Sequence, residues 1–431
     1  MRLRKQFLVF CIVLIAAPSA FLSGQKKSYP AVTVMKDGVK TITNPEYPRD
    51  GRFIAKLTAE MSCGEEAKPE MAMLNKPLDL RVDDQGRVYV MDWGDVHIKV
   101  YDSQGRFLRT IGRKGQGPGE LDTPFHFGLL KSGKVCVLDG RQRRVTFLTN
   151  EGEYISGFRF EGFFSSLAID GRDRLFLAKR AAAEELKLST EFREIPYITS
   201  IFRTDASGKE MIHLTDFLGE VQVMKAMSGG GIVSMGGLYT IVWGVNRQGK
   251  LYGGFNEIYR LGAYGPDGKI EFAFGREFSP LKNSRYKGLP GQKKTMPALT
   301  EKIVFDEKEN LWLELYKDDT IKYFTYDIFS PEGIYLKQVR IDQRIFQFKD
   351  GKIYSIVQPE EGFPSIKRFL MELVALEENR VSDINKTYAL DRSGGFAWLG
   401  QTYRSPAWRK NSSTTTRQPN FTVFRSSLRA Q

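Results

Sequence analysis

Cysteine and histidine are scarce in this chain, with three of each among 431 residues. His97, His126 and His213 have no close spacing, and neither an H-E-x-x-H helix motif, a C-x-x-C pair nor an EF-hand loop occurs. A zinc or calcium site built from one local motif is therefore excluded. No serine sits in a G-x-S-x-G elbow. The glycine-rich residues 112–119 lack the Lys-Ser/Thr ending of a phosphate loop and lead into a strand pattern rather than a helix, which excludes a nucleotide cradle. Past the N-terminus, no run approaches the ~18 uninterrupted apolar residues of a membrane helix.

Acids are missing at both ends. Residues 1–24 carry Arg2, Arg4 and Lys5, and residues 392–431 carry six Arg and one Lys, with no acid in either stretch. Without those ten bases, the net charge of +13 falls to 54 bases against 51 acids. A nucleic-acid binder would carry its basic excess on the folded body, so nucleic acid is not an expected partner.

The first residues read as an export signal. A basic start (Arg2, Arg4, Lys5) precedes an apolar stretch at 7–17, then Pro18, Ser19 and Ala20, then polar Gln25, Lys26 and Lys27. Eleven apolar residues are too few to span a bilayer. A retained anchor lengthened by Phe21 and Leu22 is the competing reading. Cys11 lies within the apolar run rather than at its end, unlike a lipidation cysteine. The expected location is periplasmic or secreted, with no membrane span after signal removal. Cys136, in the strand-like Val135-Cys136-Val137, reads as a small buried hydrophobe, and with Cys63 it makes no disulfide scaffold.

What the chain has in quantity is glycine (41), phenylalanine (30) and tyrosine (18), a composition for short strands and turns. One local pattern recurs: a short apolar run, a polar turn, and an aromatic-rich run. It appears as VDDQGRVYV at Gly86, LLKSGKVCV at Gly133, IDGRDRLFL at Asp173, VNRQGKLYG at Gly249, FDEKENLWL at Asn310 and FKDGKIYSI at Gly351. A second turn follows each, at Gly105, Gly152, Gly208, Gly268, Gly333 and Asn379. In copies one, two and four the two turns lie 19 residues apart, enough for two strands and a connection. Each copy is then a four-stranded antiparallel meander, A to D. Such a sheet has two apolar faces, and packing six around an axis covers both. The predicted fold is all-β, a six-bladed β-propeller. Asp50-Gly51-Arg52-Phe53-Ile54 has the form of a turn and D strand but precedes the first A strand, so an N-terminal strand is predicted to close the last blade. Residues 380–390 are the competing source of that strand.

Asp92-Trp-Gly-Asp-Val-His97-Ile98 and Asp139-Gly-Arg-Gln-Arg-Arg144-Val145 align residue for residue, and each resembles the D-x-x-N-x-R-[IV] core of an NHL repeat. Residues 110–124 are similar to the glycine-rich link between NHL blades. With the leading VTVMKDGVK segment and Asn44-Pro45, the chain resembles secreted bacterial six-bladed NHL-like propellers, strongly over 31–160 and more weakly to about 390. This resemblance implies fold and export rather than an activity. Propellers related to these can hold calcium or zinc in the central channel and act as lactonases, hydrolases or lyases. Under that alternative the candidate ligands here are Asp79, His126 and Asp170, at or near inner strands.

In a meander the A–B and C–D turns share one face, while B–C and blade-to-blade connections share the other. All the turns of the first class are short. The long stretches, 178–200, 217–240, 277–300 and 358–364, fall in the second, which marks that face for binding a protein, peptide or glycan without a cofactor. Candidate ligand residues there are Trp93 and His97, then Arg113, Lys114 and His126, then Arg141 and Arg143, a positive rim suited to a carboxylate or phosphate. Asp92 and Asp139 close matching B strands and are expected to hold backbone donors. Residues 181–188 are expected to form a helical turn or two. The domain plan is a signal at 1–24, a hairpin and lead-in at 25–50, the propeller at 51–391 and a basic tail at 392–431.

Overall fold

The computed structural model describes residues 30–376, apart from 66–68, 186–188, 230, 236–238, 284–285, 287, 289–292 and 318–320. The expected signal, the turn at Asn379, residues 380–390 and the basic tail lie outside the described residues.

Blade one is β4 to β7, at Pro77–Val82, Val88–Asp92, His97–Tyr101 and Phe107–Ile111. Blade two is β8 to β11, at Pro124–Leu129, Val135–Asp139, Arg144–Leu148 and Tyr154–Arg159. Blade three has five strands, β12 to β16, at Phe163–Ile169, Leu175–Ala182, Arg193–Thr204, Ile212–Ala226 and Ile232–Met235. Blade four is β17 to β20, at Ile241–Val245, Leu251–Phe255, Arg260–Tyr264 and Ile270–Arg276. Blade five is β21 to β24, at Leu299–Phe305, Leu311–Leu315, Phe324–Phe329 and Tyr335–Ile341. Blade six takes β25 to β27, at Gln347–Lys349, Lys352–Val357 and Ser365–Ala375, and completes itself with β3 at Arg52–Cys63. The innermost strands β4, β8, β12, β17, β21 and β25 touch in that order, and β25 returns to β4. That contact order closes a six-membered ring around an axial channel.

Strand alternation supplies the adhesive. In β5, Val88 and Val90 face blade six while Tyr89 and Met91 face blade two. In β9, Val135 and Val137 meet blade one, and Cys136 and Leu138 meet blade three. Six such interblade clusters complete the circuit. Each fully covered Leu, Val or Phe contributes about 1.5–3 kcal/mol. Cys136 behaves as a buried hydrophobe, its thiol pushed well up by burial. It lies in a different cluster from Cys63, and no disulfide joins the two.

The predicted closing strand is present. β3 pairs antiparallel with β27 from Phe53↔Ala375 to Cys63↔Ile366, and its first residues also run parallel to β24. Ahead of it, β1 (Val32–Lys36) and β2 (Val39–Asn44) form a hairpin whose second strand lies parallel to β20 on the outer edge of blade four. Asn44 is buried there; its Nδ2 donates to the carbonyls of Gly275 and Gly333, both at 2.9 Å, and its Oδ1 accepts from the Tyr335 N–H. The N-terminal segment therefore clasps blades four, five and six.

Four expectations are corrected. Residues 217–240 are not simply a connection, because β15 runs to Ala226 and β16 adds a fifth strand. Within 178–200, β13 and β14 stay paired out to Ala182↔Tyr197. Residues 181–182 are strand and 183–184 a bend, so no helical turn forms among the described residues 181–185, and 186–188 lie outside the description; the ladder of β13 captures the start of this alanine-rich stretch despite its local propensity. In blade five the left-handed turn position falls on Glu309 (φ 63°), one residue before Asn310.

Candidate functional site

Matching carboxylates shape the long-loop face. Asp92 and Asp139 end their B strands fully buried. Asp92 accepts from the N–H groups of Asn75 (2.7 Å), Lys76 (2.8 Å) and Gly94 (3.2 Å). Asp139 does the same for Asp122 (2.7 Å), Thr123 (3.2 Å) and Gln142 (3.1 Å). One side chain thereby ties the incoming connection to the B–C turn. Asp139→Ala would strand these donors, and the expected loss is about 2 kcal/mol by urea denaturation. An unchanged midpoint would show that the turn holds without it.

Blade two's B–C turn then presents its arginines. Arg143 adopts a left-handed backbone (φ 49°), and Arg141 reaches Asp122 at 3.5 Å. Arg144 stands directly opposite Arg159 across β10 and β11, an unfavourable pairing of like charges. The conflict is relieved because Arg144 turns back to donate to the carbonyls of Gly117 (2.8 Å) and Glu120, stapling the glycine-rich link. Arg159 is left to the solvent side. A cavity of about 410 Å³ results, lined by Gln116, Asp122, Arg141, Gln142, Arg143, Arg159 and Phe160. Three guanidiniums face one carboxylate, and that carboxylate is already engaged by Arg141.

The predicted rim is thus divided. Arg141 and Arg143 come together, joined by Arg159, Gln116 and Phe160, which sequence reasoning did not name. Their signal was position: Arg159 ends the D strand beside that turn and Phe160 follows it. Trp93 is exposed, with the Lys76 ammonium 5.8 Å from its ring. His97 is half-buried, and burial, aided by the Lys99 charge, lowers its pKa; the Asp95 carboxylate is 3.9 Å away. The stapling done by Arg144 in blade two is done in blade one by the fully buried Lys99. It donates to the Met73 carbonyl and pairs with Asp95 at 2.6 Å and Asp92 at 3.1 Å. Arg113 clamps Glu120 at 2.9 Å, and Lys114 bridges to Leu121 within the link.

His126 belongs instead to the channel. Burial pushes its imidazole below the ordinary range, while the nearby Asp79 charge pulls the other way. Burial opposes charge on Asp79 too, but Arg81, Lys302 and His126 together hold its carboxyl low. Asp170 is not with them. It heads the A–B turn of blade three, accepting from the N–H groups of Arg172 (2.9 Å) and Arg174 (3.0 Å) and pairing with the Arg174 side chain at 2.6 Å. Asp83 and Asp306 do the same work in blades one and five. Among the described residues no three His, Cys, Asp or Glu side chains gather as a metal-ligating group.

Residues 71–193 match the model of DUF5128, a 6-bladed beta-propeller family. This span holds blades one and two and the start of three. A member of the DUF4221 family from Bacteroides vulgatus is similar in fold, with a TM-score of 0.50 at 14% identity, covering 75% of this chain and 99% of that one. A Bacteroides fragilis protein named as exported has a TM-score of 0.48 at 12% identity, over 78% and 98%. Virginiamycin B lyase from Staphylococcus aureus has a TM-score of 0.37 at 11% identity, over 74% and 99%. No curated protein matches the chain. No helix among the described residues is long and apolar enough to cross a membrane.

Proposed function

We propose that this chain is an exported propeller that binds an anionic group of a peptide, glycan or protein partner on its long-loop face, without chemistry and without a resident cofactor. The observation that carries this reading is the cavity where Arg141, Arg143 and Arg159 outnumber Asp122 above the aromatic floor of Phe160. Guanidinium forks suit the paired oxygens of carboxylate or phosphate, and the half-enclosed setting strengthens such contacts over those of scattered surface lysines. Export rests on the basic and apolar N-terminal pattern, and a periplasmic or culture-medium fraction is where the chain should be found.

The test uses two probes, an oligoglutamate peptide and an oligouronate, titrated into the purified protein. Arg143→Glu together with Arg159→Glu should weaken binding of the preferred probe about 10-fold to 100-fold, as expected for losing two charge-assisted contacts. Wild-type affinity should fall as salt rises, in line with screening. Binding that ignores both the double substitution and the salt would sink the reading.

A further inference from the structure

The channel holds a lysine that the long-loop site does not use. Lys302 lies on the innermost strand of blade five, its ammonium nitrogen 3.6 Å from the centre of the Phe346 ring. Around it stand Asp79 and Arg81 from blade one, His126 from blade two, and Glu314 and Arg344 from blade five and the connection that follows. Both carboxylates are committed: Asp79 to Arg81 at 2.7 Å and Glu314 to Arg344 at 2.8 Å. Glu314 also accepts from the Tyr326 hydroxyl. Four permanent or potential cations share two anions, and with both carboxylates held by arginines, Lys302 and His126 have no carboxylate partner of their own among the described residues. Lys302 is nonetheless only partly covered by the surrounding protein.

We propose that the axial channel is a second binding site, in which the Lys302 amine captures the carbonyl of a small aldehyde or ketone as a reversible imine. The lone pair on Nζ attacks the carbonyl carbon, and the carbonyl electron pair moves to oxygen, which takes up the proton the amine gives up through water. The carbinolamine then loses its hydroxyl as water, leaving a carbon–nitrogen double bond; amine and carbonyl have become imine and water. The step needs the amine uncharged. Burial, reinforced by Arg81 and Arg344 and opposed by Asp79 and Glu314, pushes Lys302 down to about 7. The lowered value raises the share of nucleophilic amine at neutral pH, where an ordinary lysine has almost none. The Phe346 ring under the nitrogen gives the adduct an apolar wall, although its attraction for the ammonium works against the deprotonation that burial favours.

Propionaldehyde with sodium cyanoborohydride, applied to the full chain between pH 6 and 9, traps the imine as a propyl adduct that peptide mass spectrometry assigns to its lysine. Lys302 should be modified at least about tenfold faster at pH 7 than Lys269, an exposed lysine on a turn, with a rate that levels off above a midpoint near 7. Lys302→Met should fold, lose the adduct and leave anion binding at the arginine cavity unchanged. It should also be at least as stable as the wild type at neutral pH. A lysine with a lowered folded pKa is destabilising below that pKa, and the penalty fades as pH rises toward the unfolded value. Labelling of Lys302 at or below the rate of Lys269 across the whole pH range would overturn the proposal, whether the channel is closed or the amine stays charged.

Discussion

Asp327→Asn should cost the folded state about 3–5 kcal/mol, the range for removing one partner of a buried ion pair. Asp327 is fully buried at the seam of blades four and five. Its carboxylate accepts from Arg276 Nε at 2.6 Å, the Tyr259 hydroxyl at 2.5 Å, the Tyr335 hydroxyl at 2.7 Å and Gln338 Nε2 at 2.9 Å. Tyr259 and Arg276 come from blade four, and the others from blade five, so one side chain ties two sheets together. An amide keeps the shape but leaves the Arg276 guanidinium without its counter-ion and turns an NH2 toward donors. The Tyr259 and Tyr335 hydroxyls, whose ionisation is opposed chiefly by burial, remain donors without the acceptor they had. Urea denaturation measures the effect as a lowered midpoint, and a loss below about 1 kcal/mol would mean the network is dispensable.

Removing residues 1–63 should abolish the monomeric fold, whereas removing residues 1–44 should leave a ring that melts at lower temperature. The first deletion takes away β3, exposing the whole outer edge of the eleven-residue β27 together with apolar surface around Ala55, Met61 and Cys63. A long unpaired edge of this kind invites pairing with other chains. The second removes only the hairpin on blade four and the bridges made by Asn44. Size-exclusion chromatography and circular dichroism distinguish the two outcomes. A peptide of residues 50–65 added to the longer deletion should restore the monomer, and a monomeric longer deletion without it would refute the clasp.

The ring was legible in the sequence because its turns are chemically marked. Gly86, Gly133 and Gly249 take positive φ, and a short acceptor such as Asp83 or Asn246 bonds the donors of the same turn. The closing strand was legible for the same reason, since Gly51 precedes it with φ 99°. The hairpin's attachment to blade four was not, because parallel edge pairing between segments so far apart leaves no local trace. Nor was β16, a strand that pairs beyond the regular meander. At the site, Arg141 and Arg143 could be placed because two aligned turns fixed their register. Asp170 could not, since an acid that heads a turn and one that faces the channel look alike in a strand sequence. Lys302 was overlooked because nothing local to it marks a lysine whose neighbouring acids, Asp79 and Glu314, are taken by Arg81 and Arg344.

Because β3 pairs with β27, Ile54 must wait for Val374 before either has its partner. Synthesis delivers the first of these near the beginning of the body and the second near its end, and a pairing so remote along the chain is slow to form. The last blade therefore cannot be completed on a partly made polypeptide. Under the export proposed above, this delay would keep the disc from locking until the full length of the chain is available.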